Sequence, residues 1–103
     1  MIKVSVLYPN DEGCRFDIDY YCNRHMAIVR EKLGAALTGV AVERGLAGAD
    51  PTSRPTYVAM GHLYFDSVDA FQAAFGPHAA AIMGDLPNYT NVQPTIQISE
   101  VRM

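Results

Sequence analysis

The stretch "TYVAMGHLYFD", residues 56–66, decides how this chain folds. Tyr57, Ala59, Gly61, Leu63 and Phe65 recur at every second position, and Val58, Met60, His62 and Tyr64 fill the places between them. Successive side chains of a strand point to opposite faces, so the pattern predicts a strand that is largely apolar on both sides. Such a strand needs cover above and below. The small residues Ala59 and Gly61 suit close packing under helices, which assigns Met60, His62 and Tyr64 to the opposite face.

Working outward, Ile2, Val4, Val6 and Tyr8 alternate with Lys3, Ser5 and Leu7, a first strand ended by Pro9-Asn10. Asp17 is a good N-cap for a helix running to Gly34, where glycine suits the C-terminal stop. "ALTGVAVERGL" (36–46), rich in small and β-branched residues, predicts a second strand, and "AGADPTSRP" (47–55) is a loop. Ser67 caps a helix through Phe75, Gly76-Pro77 breaks it, and "PHAAAIMG" (77–84) forms a further short helix. "VQPTIQISEV" (92–101) closes the chain as a fourth strand. The order βαββαβ over one domain, residues 1–103, is the ferredoxin-like α+β plan: a four-stranded antiparallel sheet with helices on one face. Two layers cover only one side of the sheet. A second copy of the chain would cover the other, so a homodimer is expected.

Composition narrows the function. Half of the residues are hydrophobic, enough for one core in a chain of 103. The net charge of −3 and the scattered basic residues exclude the cationic stripe that nucleic acid requires, and argue equally against an anionic membrane surface. Cys14 and Cys22 form no CxxC and are expected to be free thiols. No window is apolar over the length of a membrane span, and "MIKVSVLYP" has no signal-like charged and apolar segments. A cytoplasmic protein is expected.

Few side chains are placed to do chemistry. On the first helix Ile18, Tyr21, Cys22, His25, Val29 and Leu33 follow the spacing of one buried stripe. His25 in that stripe has two readings: a core histidine bonded to a neighbour, or an acid–base group whose pKa is set by its surroundings. Met60, His62 and Tyr64 share the strand face away from the helices, as plain interface packing or as the lining of a small-molecule cavity. Acidic residues such as Asp17 and Asp19 are accounted for by the helix N-terminus. HExxH, paired Cys/His spacing, GxSxG and a P-loop are all missing, and "GLAGAD" (45–50) is not a dinucleotide loop. No metal, flavin or nicotinamide cofactor is expected.

Three blocks of residues resemble the EthD family of the dimeric α+β barrel superfamily. They are Tyr8-Pro9 with Phe16-Asp17-x-Asp19-Tyr20-Tyr21-x-x-x-His25-Met26, then Tyr64-Phe65-Asp66-Ser67-x-x-Ala-Phe71, then Asp85-Leu86-Pro87-Asn88-Tyr89-Thr90 running into Gln97-Ile98-Ser99-Glu100-Val101. The resemblance implies a dimeric barrel with an apolar cavity on the inner face of each sheet. It also implies a role in ether- or aromatic-degradation catabolism, where members are often labelled reductases without a defined reaction. Related barrels include cofactor-free monooxygenases, lactone isomerases, polyketide cyclases and dehydratases, and some hold haem. The resemblance gives His25 weight as a catalytic candidate beside His62. It adds Asp85, either to orient His25 or to bind a polar group of the ligand, beside the simpler reading of a capping or turn residue, and Tyr20, Tyr21, Asn88 and Tyr89 as ligand-binding candidates with Met60 and Tyr64. An enzyme acting on a small, mostly apolar molecule, a carrier of such a molecule for an oxygenase system, and a structural dimer all remain open.

Overall fold

The computed structural model describes residues 1–103. Its four strands are β1 (Ile2–Pro9), β2 (Gly39–Arg44), β3 (Tyr57–Phe65) and β4 (Thr95–Glu100), joined as one sheet in the order β2-β3-β1-β4. All three pairings are antiparallel. The two most apolar strands, β1 and β3, take the centre, and the shorter and more polar β2 and β4 take the edges. This is the ferredoxin-like α+β fold expected from the element order.

Register fixes the faces. Ile2, Val4, Val6 and Tyr8 lie opposite Phe65, Leu63, Gly61 and Ala59, and Val4 and Val6 lie opposite Ile98 and Ile96 on β4. These residues form the side that the helices cover, where Val4, Tyr8, Ala59 and Phe65 are buried. The other side carries Lys3, Ser5 and Leu7 opposite Tyr64, His62 and Met60. No element of the chain crosses that side, and it is the open face.

Above the covered side, α1 (Ile18–Tyr20) continues through a π turn (Tyr21–His25) into α2 (Met26–Leu33). Asp17 caps this helix by accepting from the Tyr20 N–H at 3.0 Å, a contact of the kind worth ~1 kcal/mol. Gly34 ends it at φ +58°, a conformation that L side chains rarely adopt. Ser67 caps α3 (Val68–Phe75) through the Ala70 N–H, and a 3₁₀ turn at Gly76–His78 leads into α4 (Ala79–Met83). No helix is long and apolar enough to cross a membrane.

The π turn corrects the expected stripe. Its wider i→i+5 bonding, with the Met26 N–H reaching the Tyr21 carbonyl, adds a residue to one turn of the helix. The buried residues become Tyr21, His25, Met26, Val29 and Leu33, while Cys22 is turned out to solvent.

Candidate functional site

The site forms where the helix start meets the turn after α4. The Asp17 N–H donates to the Tyr89 carbonyl at 2.8 Å, and Phe16 bridges to Thr90. These backbone contacts clamp residues 16–17 to residues 89–90. The clamp brings Asp85, at the head of the 3₁₀ turn Leu86–Asn88, beneath the π turn.

Asp85 is nine-tenths buried and accepts three hydrogen bonds. The His25 Nδ1 lies 2.9 Å from Oδ2, and the Tyr20 hydroxyl and the Asn88 amide each donate to Oδ1 at 2.8 Å. Burial alone would raise the carboxyl pKa, but the bonds from Asn88, His25 and Tyr20 outweigh it and hold Asp85 below its usual range. Asp85 is therefore an acceptor only, and His25 must carry its proton on Nδ1.

His25 is 4% exposed, and burial lowers its pKa against the opposing pull of Asp85. At neutral pH the imidazole is neutral and its Nε2 lone pair is free. No fully enclosed side-chain nitrogen or oxygen in the chain lacks a partner. The ring makes its one hydrogen bond through Nδ1 and lines a cavity, so Nε2 opens onto that cavity.

The cavity lies between the sheet and the helices and has a volume of about 190 Å³. Val4, Val6 and Leu63 form its floor, with Met26 and Val29 on one wall and Phe71 and Phe75 on the other. Pro94 and Ile96 border it on the β4 side, where Ile96 is half exposed. Thirteen of the fifteen lining residues are hydrophobic, a lining suited to a mostly apolar molecule. An apolar cavity of ~150 Å³ accepts benzene, so this one has room for a single ring.

Two tyrosines join His25 in the wall, Tyr21 and Tyr8. The Tyr21 ring stacks on the imidazole with centroids 5.3 Å apart and planes at 14°. The Tyr8 hydroxyl is 2.8 Å from that of Tyr89, and the Tyr21 hydroxyl lies beside Tyr8. Burial raises the pKa of all three phenols, which stay protonated as donors. The Tyr20 pKa is raised as well, chiefly by its bond to Asp85.

The residues singled out in the sequence fall into two groups. His25, Asp85, Tyr20, Tyr21, Asn88 and Tyr89 converge in one cluster. Within it Tyr21 faces the cavity, while Tyr20 and Asn88 stand behind Asp85, and Tyr89 packs beneath, bonded to Tyr8. Met60, His62 and Tyr64 lie on the open face, on the other side of the sheet from this cavity. The alternation that keeps Leu63 in the cavity floor sends them away from it. There His62 forms its own cluster, with Ser5 Oγ 2.9 Å from Nδ1 and Glu43 Oε1 3.0 Å from Nε2. Sequence reasoning missed Tyr8 and Gly61 in the first site and Ser5 and Glu43 in the second. Tyr8 and Gly61 share a sheet face by register, a signal that appears only once β1 and β3 are paired. No three His, Cys, Asp or Glu side chains converge to hold a metal ion.

Comparison with known proteins agrees with this picture. The family described as the EthD domain matches residues 15–93, which include both halves of the His25–Asp85 cluster. An EthD-like protein from Ralstonia eutropha JMP134 is 49% identical, with 99% of this chain and 92% of that one covered and a TM-score of 0.94. An ethyl tert-butyl ether D (EthD) family protein from Bacillus halodurans C-125 is 21% identical over 98% of both chains, with a TM-score of 0.68. HapK from Hahella chejuensis, 13% identical over 100% of this chain and 95% of its own, shares the fold at a TM-score of 0.54. No functionally curated protein shows significant sequence similarity to the chain.

Proposed function

The chain belongs to the EthD family, and we propose that it moves a proton on a small, mostly apolar molecule held in the cavity between sheet and helices. One observation carries this reading. His25 is fixed by Asp85 through Nδ1, which leaves a neutral, basic Nε2 facing an apolar cavity. A general base needs that combination of a set tautomer, a lone pair within reach of the ligand and a pKa at or below neutrality.

In the proposed step Nε2 takes a proton from the ligand and becomes an imidazolium. Asp85 stabilises the new charge through the existing hydrogen bond, without any movement of the side chains. Negative charge developing on the ligand meets the Tyr21 hydroxyl, which burial keeps protonated. Return of the proton to another atom of the ligand completes an isomerisation. Its delivery to a departing hydroxyl, which leaves as water, completes a dehydration, and its delivery to the carbonyl oxygen attacked in ring closure completes a cyclisation.

Deuterium exchange tests the reading. With cyclohexanone in deuterated buffer, the protein should accelerate exchange of the hydrogens next to the carbonyl, followed by NMR. The rate should rise with pH through the lowered pKa of His25 and vanish in His25→Gln. Tight binding of cyclohexanone with no accelerated exchange would replace catalysis by the second reading, a carrier that shelters the molecule for a partner oxygenase. The same cavity supports that role without needing a free base.

A further inference from the structure

Tyr21 reaches the cavity wall because β3 offers no side chain at the point where its phenol lies. A Cβ on Gly61 would collide with the Tyr21 hydroxyl oxygen, which rests directly on the bare backbone of the strand. Gly61 stands in the row that faces the helices, paired with Val6 on β1 and Val42 on β2. Any other residue at this position would push the phenol off the sheet and into the cavity. The same ring is stacked on His25, so its position is fixed from two sides. Its hydroxyl also belongs to a string of phenols, beside Tyr8, whose own hydroxyl is bonded to Tyr89. Three phenol groups share their protons and acceptors along that string, which orients the end nearest the ligand.

The rest of the wall is apolar. A ligand oxygen therefore has two polar partners in the cavity, the phenol end of this string and the His25 Nε2. A hydrocarbon of the same size would leave both without partners. We infer that Gly61 and Tyr21 together make the cavity selective for single-ring molecules that carry a hydroxyl or carbonyl oxygen. Phenols and cyclic ketones are the class, and the matching hydrocarbons are rejected. The inference rests on the proposed reading of the cavity as a ligand site. One hydrogen bond gained, or one buried partner left unsatisfied, sets the expected discrimination at about ten- to hundredfold in affinity.

The test compares phenol with benzene, titrated into the protein and followed by NMR. Wild type should bind phenol at least about tenfold more tightly than benzene. Tyr21→Phe should lose the tyrosine's share of that preference, keeping only what the His25 Nε2 provides, and keep its affinity for benzene. Gly61→Ala should weaken both ligands, because the displaced phenol fills part of the cavity, and should lower the melting temperature. In the double variant Tyr21→Phe/Gly61→Ala the clashing oxygen is gone and only a tight ring-carbon contact remains. Benzene binding and melting temperature should then largely recover, with the phenol preference no greater than in Tyr21→Phe. That recovery separates a displaced ring from general misfolding. A phenol preference undiminished in Tyr21→Phe, or Gly61→Ala binding phenol as wild type does, would overturn the inference and leave the cavity reading standing. Failure of wild type to bind either ligand near saturation would overturn the cavity reading itself.

Discussion

Replacing Asp85 by Asn keeps the side chain's shape and removes its charge, and the three donors around it make the consequences specific. The carboxylate accepts from His25 on one oxygen and from Tyr20 and Asn88 on the other. An amide has one oxygen and one NH₂, so it cannot serve both sides. If its oxygen faces His25, its NH₂ confronts the NH₂ of Asn88, and two donors meet. If its NH₂ faces His25, Nδ1 must become the acceptor and the proton moves to Nε2, which removes the base. A lost hydrogen bond to a charged group contributes ~1.5–3 kcal/mol, and an unsatisfied buried partner costs ~1–3 kcal/mol. Asp85→Asn should therefore destabilise the fold by about 2–4 kcal/mol in urea unfolding at pH 7. Because Asp85 titrates below an ordinary carboxylate, its stabilisation is full above about pH 4 and is lost as pH falls through the folded-state value. The gap between variant and wild type should close in that acid range. Nitrogen NMR of the imidazole gives the tautomer directly. A variant within about 0.5 kcal/mol of wild type that retains the Nδ1–H form would refute the assigned role of Asp85.

Two further outcomes follow from the same geometry. Burial lowers the folded-state pKa of His25 below its ordinary value of 6.5, so the unfolded chain takes up the proton first. Stability should be full above about pH 6.5 and decline as pH falls toward the folded-state value. His25→Gln should flatten that decline in urea titrations across pH 5–8, and an unchanged slope would show that another group causes it. We also propose that a second copy of the chain covers the open face, where Leu7, Met60 and Tyr64 surround the Ser5–His62–Glu43 cluster. Sedimentation at micromolar concentration should then give twice the chain mass of 11.3 kDa, and Met60→Asp should shift it toward the single chain. A wild-type protein that sediments only as the single chain would remove that proposal.

The architecture was legible in the sequence because it rests on local rules. Period-two alternation in β1 and β3, the caps at Asp17 and Ser67 and the glycine at position 34 each act over a few residues, and the structure follows them. The site was legible only in part. His25 was visible as a polar residue in an apolar stripe, but its partner lies sixty residues away in a turn that no helix or strand period reaches. Only the resemblance to a family pointed to Asp85. Cys22 was misplaced because a π turn leaves no simple trace in hydrophobic spacing, and one extra residue in a turn redirects every side chain that depends on it. The side of the sheet that holds the cavity was hidden for a different reason. An apolar row reads the same whether it packs tightly or lines a void, and only the placement of the helices over the sheet decides which.

The buried pair itself argues for function over stability. Local rules and packing agree along most of the chain, and places where they conflict tend to be sites of function. Here the conflict is concentrated: a π turn, a nine-tenths-buried carboxylate and an imidazole with one nitrogen unbonded all meet at the cavity. Desolvating two polar groups usually offsets what their attraction returns, so well-packed apolar residues in their place are often neutral or stabilising. Breaking such a pair from one side is costly. The fold should thus tolerate the double variant His25→Leu/Asp85→Leu far better than Asp85→Asn, with stability within about 1 kcal/mol of wild type, since Tyr20 and Asn88 are exposed enough to turn to water. Deuterium exchange on the ligand should be abolished in that same protein. If the double variant is instead less stable than Asp85→Asn, the pair is a structural fastening, and its place beside the cavity has no bearing on catalysis.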